Sequence, residues 1–280
     1  PGLSFTEHVI DDGYDRWYTA KGVDLDQDGD VDIIAVSTWD DKVIWWANDG
    51  DENFTPYIID SSCDGARWAV VGDLDGDDDL DIVGAAFHGD YVAWWENDGS
   101  QNFERFIIEA GYDGALCVAL ADADSDGDLD VLASAYYDDQ ICWWENDGGQ
   151  NFNPHDISTD FDGAIYASAV DLDNDLELDI IGASWSGDMI CWWENDGEEG
   201  FSEHTVSDTF SIPGDVSACD LDGDGNMDLL GSGSQSVTWW ENRWELSHDF
   251  GDVEVNNSAT WTFRIDNRGD GQLSISAMTF

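Results

Sequence analysis

The stretch DLDQDGDVDIIA at residues 24–35 places five aspartates within nine residues and then turns abruptly apolar. It returns four times, each copy beginning 49 residues after the one before: DLDGDDDLDIVG at 73–84, DADSDGDLDVLA at 122–133, DLDNDLELDIIG at 171–182 and DLDGDGNMDLLG at 220–231. A solvated turn has no reason to keep a constant spacing. The sequence therefore predicts a repeat protein in which the acidic loop belongs to the repeated unit.

The composition is that of a folded but very acidic chain. Its 280 residues are 42% hydrophobic and include 16 tryptophans, which is enough apolar material for a substantial core. The formal net charge of −56 arises from 64 acidic residues against 8 lysines and arginines. Such a charge repels nucleic acid and anionic membranes, so we exclude nucleic acid and membrane insertion from the expected interactions.

Each repeat contains four predicted strands. Between residues 53 and 97 these are NFTPYIID, RWAVVGDL, LDIVGAAF and YVAWWEN, and the last is followed by an NDG turn. No segment shows sustained helical periodicity. Four short strands in a unit of this length are typical of one blade of a β-propeller.

The tryptophan pairs and the cysteines predict the core. Successive strand residues point to opposite faces, so each pair is expected to fill both sides of its blade. The pairs are Trp45–Trp46, Trp94–Trp95, Trp143–Trp144, Trp192–Trp193 and Trp239–Trp240. Cys142 and Cys191 share a repeat position with Ile44 and Ala93, which indicates small buried side chains rather than disulfides.

The phase of the repeats predicts how the fold closes. The chain opens with FTEHVI at residues 5–10, which matches the outer strand of the other units, and the fifth unit ends at SVTWWEN without one. The N-terminal strand can therefore complete the last blade and remove the exposed sheet edges. We predict an all-β fold with a five-bladed β-propeller over residues 1–243.

Residues 244–280 follow a different pattern. They lack the acidic loop and the double tryptophan, and they contain three alternating stretches separated by polar turns. This pattern resembles the opening of an immunoglobulin-like sandwich, which needs about seven strands. We predict an incomplete immunoglobulin-like β domain, either a fragment or one completed by another chain, with a possible homo-multimer through these strands.

The acidic loops have the chemistry of metal sites. In the first copy, the first, third and fifth side chains can converge on one point, and Asp32 adds a carboxylate at the start of the next strand. A cage made only of oxygen ligands suits a hard cation, and a flexible one suits calcium better than magnesium. Because the site recurs in every repeat, a structural role is expected, without a catalytic metal.

The loops and their 49-residue β unit resemble the FG-GAP and VCBS repeats of calcium-binding propellers, including the integrin α-subunit head. The resemblance covers residues 1–243 and implies up to five calcium ions and extracellular or cell-surface adhesion or recognition. The ligands that it implies are Asp24, Asp26, Asp28 and Asp32; Asp73, Asp75, Asp77 and Asp81; Asp122, Asp124, Asp126 and Asp130; Asp171, Asp173, Asp175 and Asp179; and Asp220, Asp222, Asp224 and Asp228. Asp78 and Leu176 replace the glycine at position six of their loops, which predicts strain and puts the fourth site in doubt.

The opposite rim carries the variable hairpins. Their aromatic residues are candidates for stacking on a sugar ring, with the recurring Asp41, Asp90, Asp139 and Asp188 at its edge. The candidate ligand-binding residues are Trp39, Phe87, Tyr136 and Trp185. The alternative is that these aromatics only cap the interfaces between blades. Arg16 and Arg67 lie on the same rim and either hold an acidic group or form local salt bridges.

The sequence is compatible with three functions. The favoured one is a non-enzymatic adhesion or assembly module, with other protein subunits or cell-surface glycans as partners and possible filament formation. A lectin-like carbohydrate-binding propeller is the alternative. A polysaccharide-active enzyme is the least favoured, because it needs two carboxylates ~5–9.5 Å apart and no acid pair unique to one blade stands out. We therefore predict that the protein is not an enzyme.

Overall fold

The computed structural model describes residues 5–197 and 200–243. All regular structure in these residues is β-strand, and they contain no helix that could span a membrane. The chain divides into two units, Pro1–Arg243 and Trp244–Phe280, and the described strands all belong to the first. The predicted immunoglobulin-like domain at 244–280 lies outside the described residues and stays a prediction.

The strands form five antiparallel sheets in which neighbours in sequence are neighbours in space. The first sheet contains β1 (Trp17–Val23), β2 (Asp32–Ser37), β3 (Lys42–Asn48) and β4 (Phe54–Asp60). The second contains β5 (Ala66–Gly72), β6 (Asp81–Ala86), β7 (Tyr91–Asn97) and β8 (Phe103–Ala110). The third contains β9 (Ala115–Ala121), β10 (Asp130–Ala135), β11 (Gln140–Asn146) and β12 (Phe152–Ser158). The fourth contains β13 (Ala164–Val170), β14 (Asp179–Ser184), β15 (Met189–Asn195) and β16 (Phe201–Ser207). The fifth contains β17 (Pro213–Cys219), β18 (Asp228–Gly233) and β19 (Val237–Trp240).

The repeated four-stranded sheet confirms the predicted unit, and the architecture is that of a repeat protein of the β-propeller type. The third strand of each of the first four sheets leads into an NDG turn whose glycine has a positive φ, as at Gly50 (77°) and Gly99 (72°). L-residues with a side chain rarely adopt this conformation, so the turn requires glycine. The acidic loops join the first strand to the second, as expected.

The core lies between successive sheets. In the first four sheets the tryptophan pairs fill it as predicted: Trp95, Trp144 and Trp193 are each 1% exposed. The first tryptophan of a pair stacks on the outer strand, with ring centres 4.9 Å apart for Trp45 and Tyr57. All five cysteines are free thiols and four are buried, which confirms that they pack as small apolar residues.

A recurring aspartate ties each of the first four sheets to the chain entering the next one. The carbonyl of Asp139 accepts a hydrogen bond from the Phe161 amide at 2.8 Å, and its Oδ1 accepts one from the Gly163 amide at 2.7 Å. Each of these aspartates has a φ of 54–56°, a left-handed conformation that aspartate tolerates better than most residues. The set is Asp41, Asp90, Asp139 and Asp188.

Closure by the N-terminal strand is not found in the described residues. Residues 5–10 form no strand, and Phe5 is 93% exposed. Leu221 is 47% exposed, whereas its counterparts in the other four loops are buried, so a flank of the fifth sheet lies open. Closure of the ring by residues 5–10 therefore stays a prediction.

Replacing Asp139 with alanine should destabilise the protein by about 1–3 kcal/mol, because the Gly163 amide loses its acceptor and alanine fits a left-handed backbone poorly. Asp139→Asn keeps a side-chain oxygen and tolerates this conformation, so its loss should be much smaller. Urea unfolding at a fixed divalent-cation concentration compares the two variants. Equal stability of the two would show that the carboxylate contact contributes nothing.

Candidate functional site

Five acidic loops each bring three carboxylates together. The oxygens contributed by the first, third and ninth residues of a loop lie within 4.8 Å of one another. The clusters are Asp24, Asp26 and Asp32; Asp73, Asp75 and Asp81; Asp122, Asp124 and Asp130; Asp171, Asp173 and Asp179; and Asp220, Asp222 and Asp228. Groups of oxygens at this spacing can hold a metal ion, and hard cations suit them best.

Left-handed residues wrap each loop around its carboxylates. Position six has a positive φ in all five loops, including Asp78 (73°) and Leu176 (84°), where glycine is replaced. Leu176 is 63% exposed, so little packing offsets a cost of about 1–2 kcal/mol. Position four is also left-handed, for example at Ser125 (63°) and Asn174 (63°), and the sequence analysis missed it.

The ninth aspartate is a buried hydrogen-bond acceptor as well as a cluster member. In the third loop, Oδ2 of Asp130 accepts from the Ala123 amide at 2.8 Å and Oδ1 accepts from the Asn146 amide at 2.9 Å. The same two bonds recur in every loop, and each ninth aspartate is at most 1% exposed. This residue therefore fixes the start of the acidic loop against the end of the third strand.

In the second, third and fourth loops, burial raises the pKa of the ninth aspartate and so disfavours its ionised form. It raises the pKa of Asp81 to about 7 and the pKa of Asp130 to about 6, even though both accept backbone hydrogen bonds. Burial first, with help from the neighbouring carboxylates, also raises the pKa of the third residue of the loop, as at Asp26 and Asp75. A cation among the oxygens would oppose both effects because it favours the charged form.

Unpartnered oxygens show where a cation would fit. Asp24 Oδ1, Asp26 Oδ1 and Asp122 Oδ1 are buried and have no hydrogen-bond partner. A buried carboxylate oxygen without a partner is costly, and an ion between such oxygens removes the cost. The first and third loops therefore fit a metal ion by a criterion independent of the sequence motif.

The fifth residue of each loop lies outside the three-carboxylate clusters. Oδ1 of Asp126 accepts a hydrogen bond from the Asp128 amide at 2.9 Å, two residues further along the loop. The other four behave alike: Asp28, Asp77, Asp175 and Asp224. That these five aspartates bind the metal ion stays a prediction.

An asparagine that recurs at one position of the repeat links neighbouring sheets beside the loops. It was not among the predicted site residues. The side-chain amide of Asn146 donates to the Leu74 carbonyl of the second loop at 2.8 Å. Asn195 and Asn242 make the same contact to Ala123 and Leu172 at 3.2 and 2.9 Å. The recurrence of asparagine at the end of each WWEN segment is the sequence signal that could have identified this position. Each of these hydrogen bonds joins one acidic loop to the next sheet.

A pocket of about 540 Å³ opens among the entries to the innermost strands and the variable hairpins. All five sheets or the segments entering them contribute to it, and its lining is mostly aromatic. It is lined by Arg16, Tyr18, Arg67, Trp68, Phe87, Leu116, Tyr136, Tyr137, Ile165, Tyr166, Trp185 and Gly214. Its volume is in the range of small-molecule sites.

The structure brings three of the four predicted ligand-binding residues together. Phe87, Tyr136 and Trp185 line the pocket. Trp39 is 67% exposed and lies outside the lining, with the Arg16 guanidinium 5.7 Å from its ring centre. The recurring hairpin aspartates, expected at the edge of a sugar ring, instead bind backbone amides, as Asp139 does with Gly163.

The repeat belongs to a known family. A model of the FG-GAP-like repeat matches residues 24–84, 73–133, 124–182 and 171–231. The chain belongs to the FG-GAP-like repeat family. Among curated proteins, none matches it. Among solved structures it is similar to the X-ray structure of a protein provisionally named a gluconolactonase, with a TM-score of 0.52 and 11% identity, over 83% of this chain and 76% of that one.

This likeness corrects the functional expectation. The sequence analysis favoured a non-enzymatic adhesion or assembly module and predicted no enzyme activity, and a neighbour in fold that is named as an enzyme contradicts both. The expectation set an enzyme aside because no acid pair unique to one blade stood out, although it already placed candidate ligand-binding residues on the rim where the repeats differ. At 11% identity the likeness shows the fold alone and transfers no substrate.

Divalent cations should raise the melting temperature, because an ion that binds only the folded state stabilises it by about 2.7 kcal/mol per site at 100 times its Kd. Asp124→Asn should remove one ion from the stoichiometry and reduce this gain. In chelator the same variant should equal or exceed the wild type, since it relieves repulsion among three carboxylates.

The matched control is Asp51→Asn, which removes the same charge from an exposed turn outside the clusters. It should leave both stoichiometry and cation response unchanged. Calorimetric melting with and without chelator and elemental analysis of the dialysed protein measure these effects. A melting temperature that is the same with and without chelator would contradict a metal-binding role for the loops.

Proposed function

We propose that the protein is a calcium-stabilised, five-bladed propeller of enzyme type, whose central pocket binds a small polyhydroxylated ring and hydrolyses a ring ester of the sugar-lactone class. The observation that carries this proposal is the aromatic pocket shared by all five sheets. Flat faces such as Trp185 suit the C–H side of a sugar ring, and the phenols of Tyr18 and Tyr166 suit its hydroxyl groups.

The reaction is favoured by the pocket's two guanidinium groups and by the name of the structural neighbour. In lactone hydrolysis the oxygen of water adds to the carbonyl carbon, and negative charge develops on the carbonyl oxygen. The ring C–O bond then breaks, the ring oxygen takes up a proton, and a carboxylate and one proton remain. Arg16 and Arg67 supply the positive charge that stabilises such an oxyanion.

Calcium is the cation that we propose for the acidic loops. Their ligands are oxygens alone, contributed by flexible and partly exposed loops, which suits calcium better than the rigid octahedron of magnesium. Sites of this kind in extracellular modules bind calcium at about 10⁻⁴–10⁻³ M. We therefore propose an extracellular or cell-surface location, with free or surface-bound carbohydrates as the ligand source.

Repeat equivalence supports closure of the ring by residues 5–10. The outer-strand partners of the first tryptophan in each pair are Tyr57, Phe106, His155 and His204. The same position in the N-terminal segment is His8, and the matching tryptophan of the fifth sheet is Trp239. Trp239 is 44% exposed, whereas Trp45, Trp94 and Trp143 are 3% exposed or less, so a stacking partner would bury it.

Closure predicts a specific cross-link. The register Ile44↔Ile58 places Val9 opposite Thr238, so cysteines at these two positions should form a disulfide in the folded chain. Thr6→Cys with Thr238→Cys is the control, because three residues of strand displace Thr6 by ~10 Å. Mass spectrometry with and without reductant reads the result. Equal yields from the two pairs would refute closure in this register.

Hydrolysis of a sugar lactone should be measurable as acid release above the uncatalysed rate. Arg67→Gln should lower kcat by about 10²–10³-fold, the usual cost of removing one oxyanion donor. Arg105→Gln removes the same charge outside the pocket and should retain the activity. No acceleration with either five- or six-membered sugar lactones would remove the catalytic half of the proposal.

A further inference from the structure

Arg16 occupies a backbone position that glycine fills in three other repeats. Its φ is 58°, and the equivalent Gly65, Gly114 and Gly163 have φ values of 66–74°. A residue with a side chain costs about 1–2 kcal/mol in this conformation. The fifth repeat holds Ile212 at this position, also left-handed at 49°, so the case for Arg16 rests on its place at the pocket and on its missing ion-pair partner.

Arg67 also departs from the repeat. Its position holds Tyr18, Leu116, Ile165 and Gly214 in the other units. The guanidinium lies between two rings, 4.3 Å from the centre of Phe87 and 4.7 Å from that of Tyr18. Its Nε is buried and has no hydrogen-bond partner. The side chain is thus held in place by aromatic contacts while at least one donor stays unused.

Among residues 5–197 and 200–243, no carboxylate forms an ion pair with either arginine. Arg105 pairs with Asp60 at 2.9 Å, but within the described ranges neither Arg16 nor Arg67 has a carboxylate oxygen within 4.0 Å. None of the pocket's lining residues is acidic, although the chain has 64 acidic residues. The alternative of local salt bridges therefore fails for both, and the pocket keeps two cations available.

We propose that Arg16 and Arg67 form a carboxylate subsite, and that the ligand of the pocket is a sugar acid, a polyhydroxylated ring or chain bearing one carboxylate. The inference rests on the proposed function and deepens it, since the product of lactone hydrolysis is such an acid. Guanidinium groups match carboxylates in charge and in their paired oxygens. The rings around Arg67 fix its plane before the ligand arrives, so less rotamer entropy is lost on binding.

Isothermal titration of the whole chain in calcium tests the subsite with three probes: gluconate, glucuronate and neutral glucose. We expect one of the two acids to bind at least tenfold more tightly than glucose. Arg16→Gln and Arg67→Gln should each weaken the acid by tenfold or more and leave glucose unchanged. Arg105→Gln, which removes an arginine outside the pocket, should bind like the wild type.

The failures of the two proposals are distinguishable. Equal binding of acids and glucose, or lactone hydrolysis with no acid binding, would overturn the carboxylate subsite and leave the pocket function standing. Absence of both binding and hydrolysis would overturn both. Melting temperatures of the variants in calcium identify a misfolded protein. At position 16, Arg16→Lys separates the effect of charge from that of folding, because lysine keeps the positive charge. Arg16→Lys should keep part of the affinity for the acid that Arg16→Gln loses.

Discussion

The constraint on which this fold depends is the repulsion among carboxylates held within 4.8 Å of one another in five loops. Each cluster includes an aspartate that is almost fully buried because the backbone needs it there: Asp130 fixes both the start of its loop and the end of the third strand. Replacing it with an apolar residue would leave two buried amides unsatisfied. The chain therefore keeps the carboxylate, and a cation among the oxygens would favour its ionised form.

Hydrogen bonds around the ninth aspartate also connect each of several acidic loops to the next sheet. The backbone amide of Asn146 donates to Asp130, and the side-chain amide of the same residue donates to the Leu74 carbonyl of the second loop. The position-two residues of the first four loops are buried in the core, so a loop that moves disturbs apolar packing as well as hydrogen bonds. The other rim is joined differently, by left-handed aspartates such as Asp139. One rim carries the candidate cation sites, and the other is joined by backbone hydrogen bonds and by aspartate side chains that accept from backbone amides.

Much of this could be predicted from sequence, because a constant spacing repeats the physical signal five times. The four-stranded unit, the buried tryptophan pairs and the strain at Leu176 were all predicted in this way. Contacts between repeats were harder: nothing in the linear pattern shows that Asn146 reaches Leu74, or that the hairpin aspartates serve backbone amides rather than a ligand. Closure of the ring stays a prediction, because it depends on a single pairing between residues 5–10 and the fifth sheet that the described strands do not include.

The functional prediction erred for a related reason. Periodicity draws attention to what is shared, and shared residues in a repeat protein maintain the scaffold. The residues that distinguish one sheet from another, Arg16 and Arg67, appear in the sequence only as departures from glycine and from apolar residues. The structure shows why these two arginines matter. A chain of net charge −56 repels anions at a distance. An anionic ligand can therefore be held only where cationic side chains are unpaired and partly shielded from water. Cations bound in the acidic loops would weaken that repulsion without touching the pocket, which gives the metal loops a second physical connection to the opposite rim.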